Sequence, residues 1–449
     1  MRAFFQIIKL ELLSALRSKT MLIFAVAVSL WMTLGRNILK GTESNMYQLS
    51  VRYLLGIAFS VVLVSLGSAA AGALSSDRAA KRLQLTMIRP VPHFVIAMAR
   101  SLAITLYGSL IIAFSLLMLW AFEGRGRMCD RVFSPVFEDA RLVAEEGYDR
   151  LYETNAKFRE WADQNDREFC LKYLEDDILN EYVTVDPGKS MSWEIRDVPD
   201  DAEDFGVRVR FIDFFGRPGS VAGKFTFRGF SGSVDNPVRS RFYVPLNVRS
   251  SGSSGGSALE FPNNTDIPLS LQPRKDLHLL ARSDSFAWNA FRAWLVMTAV
   301  LLIVVSAGGF FGACLGRGVA VFSLISLLIV MVVSPATVED YPDPMSLNTV
   351  SRLGLKASEF SAWVTSPVGR FSPVSTLEAE ERVEWSEIGD AAMAGVFYLV
   401  LFSFLSGLTM CRKQDILDCV REKDFDVLVT LGAGDIENYA KEIADILNN

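Results

Sequence analysis

Six apolar runs constrain this chain more than any other feature: Thr20–Leu34, Tyr53–Leu74, Ser101–Phe122, Trp288–Gly312, Val319–Ser334 and Ala391–Cys411. A helix needs about 20 apolar residues to cross the ~30 Å hydrocarbon core of a bilayer. Backbone polar groups survive there only inside helices or closed barrels. The runs predict a mainly α membrane protein with six transmembrane helices. The first run is short and is expected to borrow Ser18–Lys19 and Asn37–Leu39. No Asp, Glu, Lys, Arg or His lies at the middle of any run. Ionisable groups in that position usually mark ion coupling or intramembrane catalysis, so both are disfavoured.

Between the runs the chain is polar. Half of its 449 residues are hydrophobic and 21% are charged, and the acids crowd into the stretch between the third and fourth runs. Spans plus a substantial water-soluble part fit that mixture. Lys9, Arg17, Lys19, the basic residues of 75–100, Arg317, Arg412 and Lys413 fall on one side of a six-span topology. Lys and Arg next to spans stay in the cytoplasm. The expectation is a multi-pass protein of the bacterial cytoplasmic (inner) membrane with both termini cytoplasmic. Arg36, Lys40, Arg52 and Arg292 run mildly against it.

Residues 1–19 place Phe4, Phe5, Ile8, Leu12 and Leu16 at helical spacing opposite their charges. That pattern reads as an amphipathic helix on the inner membrane surface rather than a signal peptide. Residues 20–122 hold the first three spans. Residues 123–287 form an inserted extracytoplasmic α+β domain. Its first part, Pro135–Asn180, is acidic and helix-prone. Later, Ser192–Ile195, Val207–Phe211 and Lys224–Phe227 alternate polar with apolar residues between Gly- and Ser-rich breaks, as in a small β-sandwich. Trp193 and Phe211 read as sandwich core, with a sugar site as the alternative. Cys129 and Cys170 lie in the same domain and form a possible disulfide. Residues 288–413 hold the last three spans and an outer loop, 335–389, rich in Pro, Ser and interfacial Trp and Phe.

The loop 75–100 carries Arg78, Lys81, Arg82, Arg89 and Arg100 against Asp77 alone. Asp77 followed by Leu83, Leu85 and Met87 predicts a short amphipathic helix, which Arg89-Pro90-Val91-Pro92 stops. The series Asp-Arg-x-x-x-x-Leu-x-Leu-x-x-x-Arg-Pro resembles the first cytoplasmic loop of type-2 ABC exporter permeases. Where that family has Gly-Thr, this chain has Lys81-Arg82. The resemblance implies a coupling loop made of Asp77, Arg78, Arg82, Leu83, Leu85, Arg89 and Pro90, docked on an ATPase subunit. It also implies pairing with a second permease subunit.

The tail 414–449 departs from the membrane pattern. Asp424–Leu431 reads as a strand, Gly432–Asp435 as a turn and Ile436–Leu447 as a helix. This unit resembles the C-terminal end of UDP-N-acetylmuramate–L-alanine ligases. The Gly-Lys-Thr loop and ATP domain such ligases need are missing, so the tail reads as an appendage without ligase activity.

No G-x-x-x-x-G-K-[ST] phosphate loop occurs anywhere. A transporter built on this chain would borrow its motor, a separate ATP-binding subunit. No catalytic, cofactor-binding or metal-binding set is legible, His93 and His278 read as ordinary polar residues, and nothing points to nucleic acid. The expected function is the membrane-spanning subunit of an ATP-driven exporter. The alternative is a membrane-anchored extracytoplasmic binding or sensor protein.

Overall fold

The computed structural model describes residues 2–39, 46–79, 92–136, 140–163, 166–179, 181–199, 202, 204–212, 220–237, 241–249, 258–339 and 373–410. Among the described residues four helical stretches are long and apolar enough to cross a membrane: Tyr47–Ser76, His93–Gly124, Phe286–Cys314 and Trp385–Thr409. The first comprises a π-helical turn, Ser50–Leu55, and helix α3 (Gly56–Ala79). The second is α4 (His93–Leu119) with a closing π-turn, Trp120–Gly124. The third is α8 (Phe286–Cys314) and the fourth α11 (Trp385–Met410).

Two of the six expected spans are not among these four. Helices α1 (Arg2–Arg17) and α2 (Lys19–Leu39) meet at 64°, and the pair makes a fifth span only if it is counted as one. Helix α2 itself is 21 residues long, a rise of ~31 Å, comparable with the bilayer core. Within α9 (Arg317–Glu339) the described apolar helix, Arg317–Val330, is shorter than a membrane crossing needs.

The central helix is α8, which packs against α3, α4, α9 and α11. Small residues let it approach α3 to backbone contact. A Cβ on Gly308 would sit 2.4 Å from the Gly67 carbonyl oxygen, and one on Gly312 2.3 Å from that of Ala71. Helix α1 leans on the start of α4, where Glu11 pairs with Arg100 at 2.9 Å.

Between α4 and α8 lie three helices, α5 (Ala140–Thr154), α6 (Ala156–Ala162) and α7 (Arg167–Leu179), and the sheets. The helices close on their own small core around Phe158, Trp161 and Cys170. Asn155 caps α6 by accepting from the Lys157 and Phe158 amides. A four-stranded antiparallel sheet runs in the order β1 (Met128–Phe133), β11 (Leu277–Ser285), β4 (Phe205–Arg210), β7 (Arg241–Leu246). A five-stranded sheet contains β3 (Ser190–Glu194), β9 (Ala258–Pro262), β5 (Ser220–Phe227), β6 (Phe230–Pro237) and β8 (Val248–Arg249). The two sheets share one aromatic core in which Phe205 meets Phe227 and Phe211 meets Phe225 and Phe261. A two-stranded pair, β2 (Val183–Val185) with β10 (Leu269–Leu271), flanks it.

Candidate functional site: the junction of sheet and bundle

The residues singled out in the sequence are placed as follows. Helix α3 continues through Asp77 and Arg78 to Ala79, so Asp77 does not begin a new helix. Arg82, Leu83, Leu85, Arg89 and Pro90 lie outside the described residues. Cys129 and Cys170 are both free and buried, in different cores: Cys129 with the membrane helices, Cys170 among α5–α7. The possible disulfide is therefore not formed. Trp193 and Phe211 are buried in the core shared by the two sheets, which removes the sugar-site alternative. His278 contacts Ser134 Oγ and the Lys275 carbonyl, both at 3.2 Å. Among the described residues no cluster of His, Cys, Asp and Glu is able to hold a metal ion.

The structure instead concentrates buried polar groups where the sheet meets the membrane helices. Strand β11 runs into α8 with no linker, Ser285 being followed at once by Phe286. Its neighbour β1 follows α4 after a tight turn at Gly126, whose φ of +78° suits glycine. Two adjacent spans thus continue as two paired strands, and the Phe286 amide donates to the Arg127 carbonyl at 3.1 Å.

A third span joins through the segment before α11. After the short helix α10 (Pro373–Glu378), the chain turns at Glu380, a non-glycine residue at φ +60°. It then lies along the free edge of β1. The Asp130 amide donates to the Glu380 carbonyl at 2.9 Å and the Arg382 amide to the Asp130 carbonyl at 2.8 Å, a short parallel bridge. From the other side Asn289, in the first turn of α8 and fully buried, imitates a strand partner. Its Nδ2 donates to the Glu381 carbonyl at 2.7 Å, and its Oδ1 accepts from the Val383 amide at 2.8 Å. The same Nδ2 lies 3.3 Å from Cys129 Sγ. The Tyr47–Ser76 span is held at its first residue, where the Tyr47 hydroxyl donates to the Leu377 carbonyl at 2.7 Å and the ring packs edge-on to Phe286.

Charges surround these backbone contacts. Arg208 on β4 pairs with Glu381 and donates to the Ala379 carbonyl at 2.7 Å. Arg127 pairs with Glu380 at 2.5 Å and stacks over Tyr47. Arg52 pairs with Glu378 at 2.6 Å and Arg131 with Glu384 at 3.3 Å. Asp284, the penultimate residue of β11, is shared by Arg292 at 2.8 Å and Arg382 at 3.2 Å. Arg292 is only 3% exposed, with Trp288 and Trp385 beside its guanidinium. A charge so buried persists only when paired. Burial pushes the Asp130 carboxyl up to about 6. Glu380 and Glu381 add to the rise, and Arg282 and Arg208 oppose it. Burial likewise pushes the Cys129 thiol up to about 12, leaving it a packed neutral group rather than a nucleophile.

Arg52 and Arg292 are two of the four residues that ran against the charge rule in the sequence. Each sits at the domain end of a span and is neutralised by an acid distant in the chain or on the preceding strand. Asn289, Tyr47 and the segment 377–384 gave no comparable signal.

Comparison with known proteins corrects the family expectation. No protein-family model matches the chain. No solved structure matches it. A UDP-N-acetylmuramate–L-alanine ligase of Phocaeicola vulgatus is 55% identical over 40 residues, 9% of this chain and 9% of the ligase. The match spans about a tenth of the relative's length, close to the size of the tail 414–449, which lies outside the described residues. The resemblance to type-2 ABC exporter permeases finds no counterpart in these comparisons, and that family assignment is withdrawn. A basic loop beside an apolar run is required of any multi-pass membrane protein, so the motif was too generic to carry it.

Proposed function

We propose that this chain is the membrane-spanning subunit of an exporter in the bacterial cytoplasmic membrane, energised by a separate ATP-hydrolysing subunit and working beside a second membrane subunit. Both termini and the loop 80–91 face the cytoplasm in this reading, and the sheets lie outside. The observation that carries it is the junction. Two spans continue as paired strands, and two more are held there by Asn289, Tyr47 and the paired charges. A domain that is merely tethered needs one flexible connection. A domain that must move with the membrane helices needs several rigid ones, because packed elements switch between discrete arrangements rather than deform continuously. The sequence adds middle portions of spans free of ionisable residues and no nucleotide loop of its own, both suited to a borrowed energy source.

The test is purification of the full chain from its native membrane in mild detergent. Recovery of an ATP-hydrolysing protein in fixed ratio, with ATP-dependent substrate movement after reconstitution into vesicles, supports the reading. Recovery of the chain without any ATPase, together with ligand binding by the reconstituted chain alone, replaces it with the sensor reading.

A further inference from the structure

We propose that the junction between β1 and the 379–384 segment is a pH-responsive clasp that tightens as the compartment holding the sheets acidifies, with Asp130 as the responding group. This rests on geometry in the first place. Asp130 is the residue of β1 whose backbone makes both bonds to the segment, to the Glu380 carbonyl and from the Arg382 amide. It stands at a register shift in the β1–β11 ladder, between Cys129 and itself, where pairing is locally weakened. Its bridge partner is an acid, Glu381, and the preceding residue is another, Glu380. Three carboxylates therefore meet where the sheet edge and the span-bearing segment have to hold together.

The groups facing Asp130 come from every neighbouring element. Arg282 on β11 is its cross-strand partner, while also pairing with Asp204 at 3.5 Å. Arg208 on β4 faces it, but is engaged by Glu381 and the Ala379 carbonyl. Tyr243 on β7 feels its charge, as does the adjacent Cys129. Glu380 is held by Arg127. Both nearby arginines are thus shared with other acceptors, and burial and two like charges outweigh them.

The sign follows from that balance. A carboxyl raised from 3.8 to about 6 binds its proton more tightly in the closed junction than in the open one. Its contribution to closure is complete below the ordinary value and is lost as pH rises through about 6. If opening returns Asp130 to its ordinary value, the opening equilibrium rises about tenfold between pH 5 and pH 7.

The experiment is hydrogen–deuterium exchange on the full chain in lipid nanodiscs at pH 5, 6 and 7, corrected for the intrinsic pH dependence of amide exchange. Peptides covering 128–133 and 379–386 are read against a peptide from β5. In the wild type, protection of the two junction peptides falls about tenfold from pH 5 to pH 7 while β5 does not change. Asp130→Asn is isosteric and holds the protection of the acid form at all three pH values. Glu380→Gln keeps Asp130 and moves the midpoint to lower pH. A flat wild-type profile overturns the proposal. So does an unchanged pH profile in either Asp130→Asn or Glu380→Gln. Thermal unfolding of each variant checks that it is folded, and if Asp130→Asn is not, the Glu380→Gln midpoint alone decides.

Discussion

Asn289→Leu tests the junction at its most buried point. Leucine keeps asparagine's branched shape with the same number of side-chain heavy atoms, but its methyl groups are bulkier, so the polar contacts go and some overpacking at the first turn of α8 adds to the cost. The Glu381 carbonyl loses its 2.7 Å donor and the Val383 amide its 2.8 Å acceptor, both in a site where Asn289 itself has no exposure to solvent. A buried polar group left without a partner costs ~1–3 kcal/mol, so the two together are worth ~2–6 kcal/mol. Against a total stability of ~5–15 kcal/mol for a typical domain that is a large fraction. It should fall locally, because the Asp130 bridge and the Arg208–Glu381 pair still hold the segment. The assay is unfolding of the purified chain in detergent, paired with amide exchange across 377–386. The expected result is a lowered midpoint and faster exchange in that segment, with protection of β5 and β9 unchanged. Asn289→Asp sharpens the test, since it keeps an acceptor for Val383, loses the donor to Glu381 and adds a buried charge. It should be at least as damaging. Wild-type unfolding and exchange in Asn289→Leu would refute the idea that this amide fastens the segment to α8.

Three further outcomes follow from the bundle and the cores. Gly308→Ala places a methyl group 2.4 Å from the Gly67 carbonyl oxygen, and overpacking of this kind costs ~1–3 kcal/mol, read as a lower unfolding midpoint in detergent. Arg292→Met leaves Asp284 to Arg382 alone, and breaking so buried a pair costs up to ~3–5 kcal/mol. In the double variant Arg292→Met/Asp284→Asn much of that loss should return, as measured by the same unfolding curve. Cys129 and Cys170 should resist alkylation in the folded protein and react after denaturation, with peptide mapping showing both as thiols whether or not a reductant was present.

The spans and strands were legible because their signals are local. Tyr53–Leu74 and Ser101–Phe122 announce themselves by apolar length, and Val207–Phe211 and Lys224–Phe227 by alternation. The first and fifth runs stand outside the four membrane-length helices, since apolar composition in Thr20–Leu34 and Val319–Ser334 does not report how a helix bends or how far its apolar part extends. The junction was not legible because its partners are distant in sequence. Tyr47 bonds Leu377 and Arg208 bonds Glu381, and no window of local periodicity contains both members of either pair. A faint trace existed in Arg52 and Arg292, cations on the wrong side of the charge rule. A cation in such a place implies a counter-charge. Sequence alone could not say that Glu378 and Asp284 supply it. The cysteines misled for the opposite reason, because sharing a domain says nothing about sharing a core.

How the spans enter the sheet limits what the domain is able to do. Suppose α4 and α8 slid past one another along the membrane normal. Strand β11 continues α8 without a linker and β1 follows α4 after one tight turn, so the ladder running from Met128–Ser285 to Phe133–Leu279 would have to shear. Each hydrogen bond lost costs ~1 kcal/mol, and slipping by one residue turns every side chain to the wrong face, moving Phe133 and Leu279 out of the shared core. Tilting the pair as one body breaks none of those bonds and moves the whole sheet. The 379–384 segment is different, since among the described residues the Asp130 bridge, Asn289, side-chain pairs and the buried Val383 join it to the sheet and the bundle. Motion of α11 relative to α4 and α8 therefore concentrates strain in that segment, where Glu380 already holds a left-handed backbone. Because α11 also packs extensively along α8, the arrangement favours α4, α8, α11 and the sheets tilting as one body, with residues 379–384 the place where any slip of α11 would first be felt.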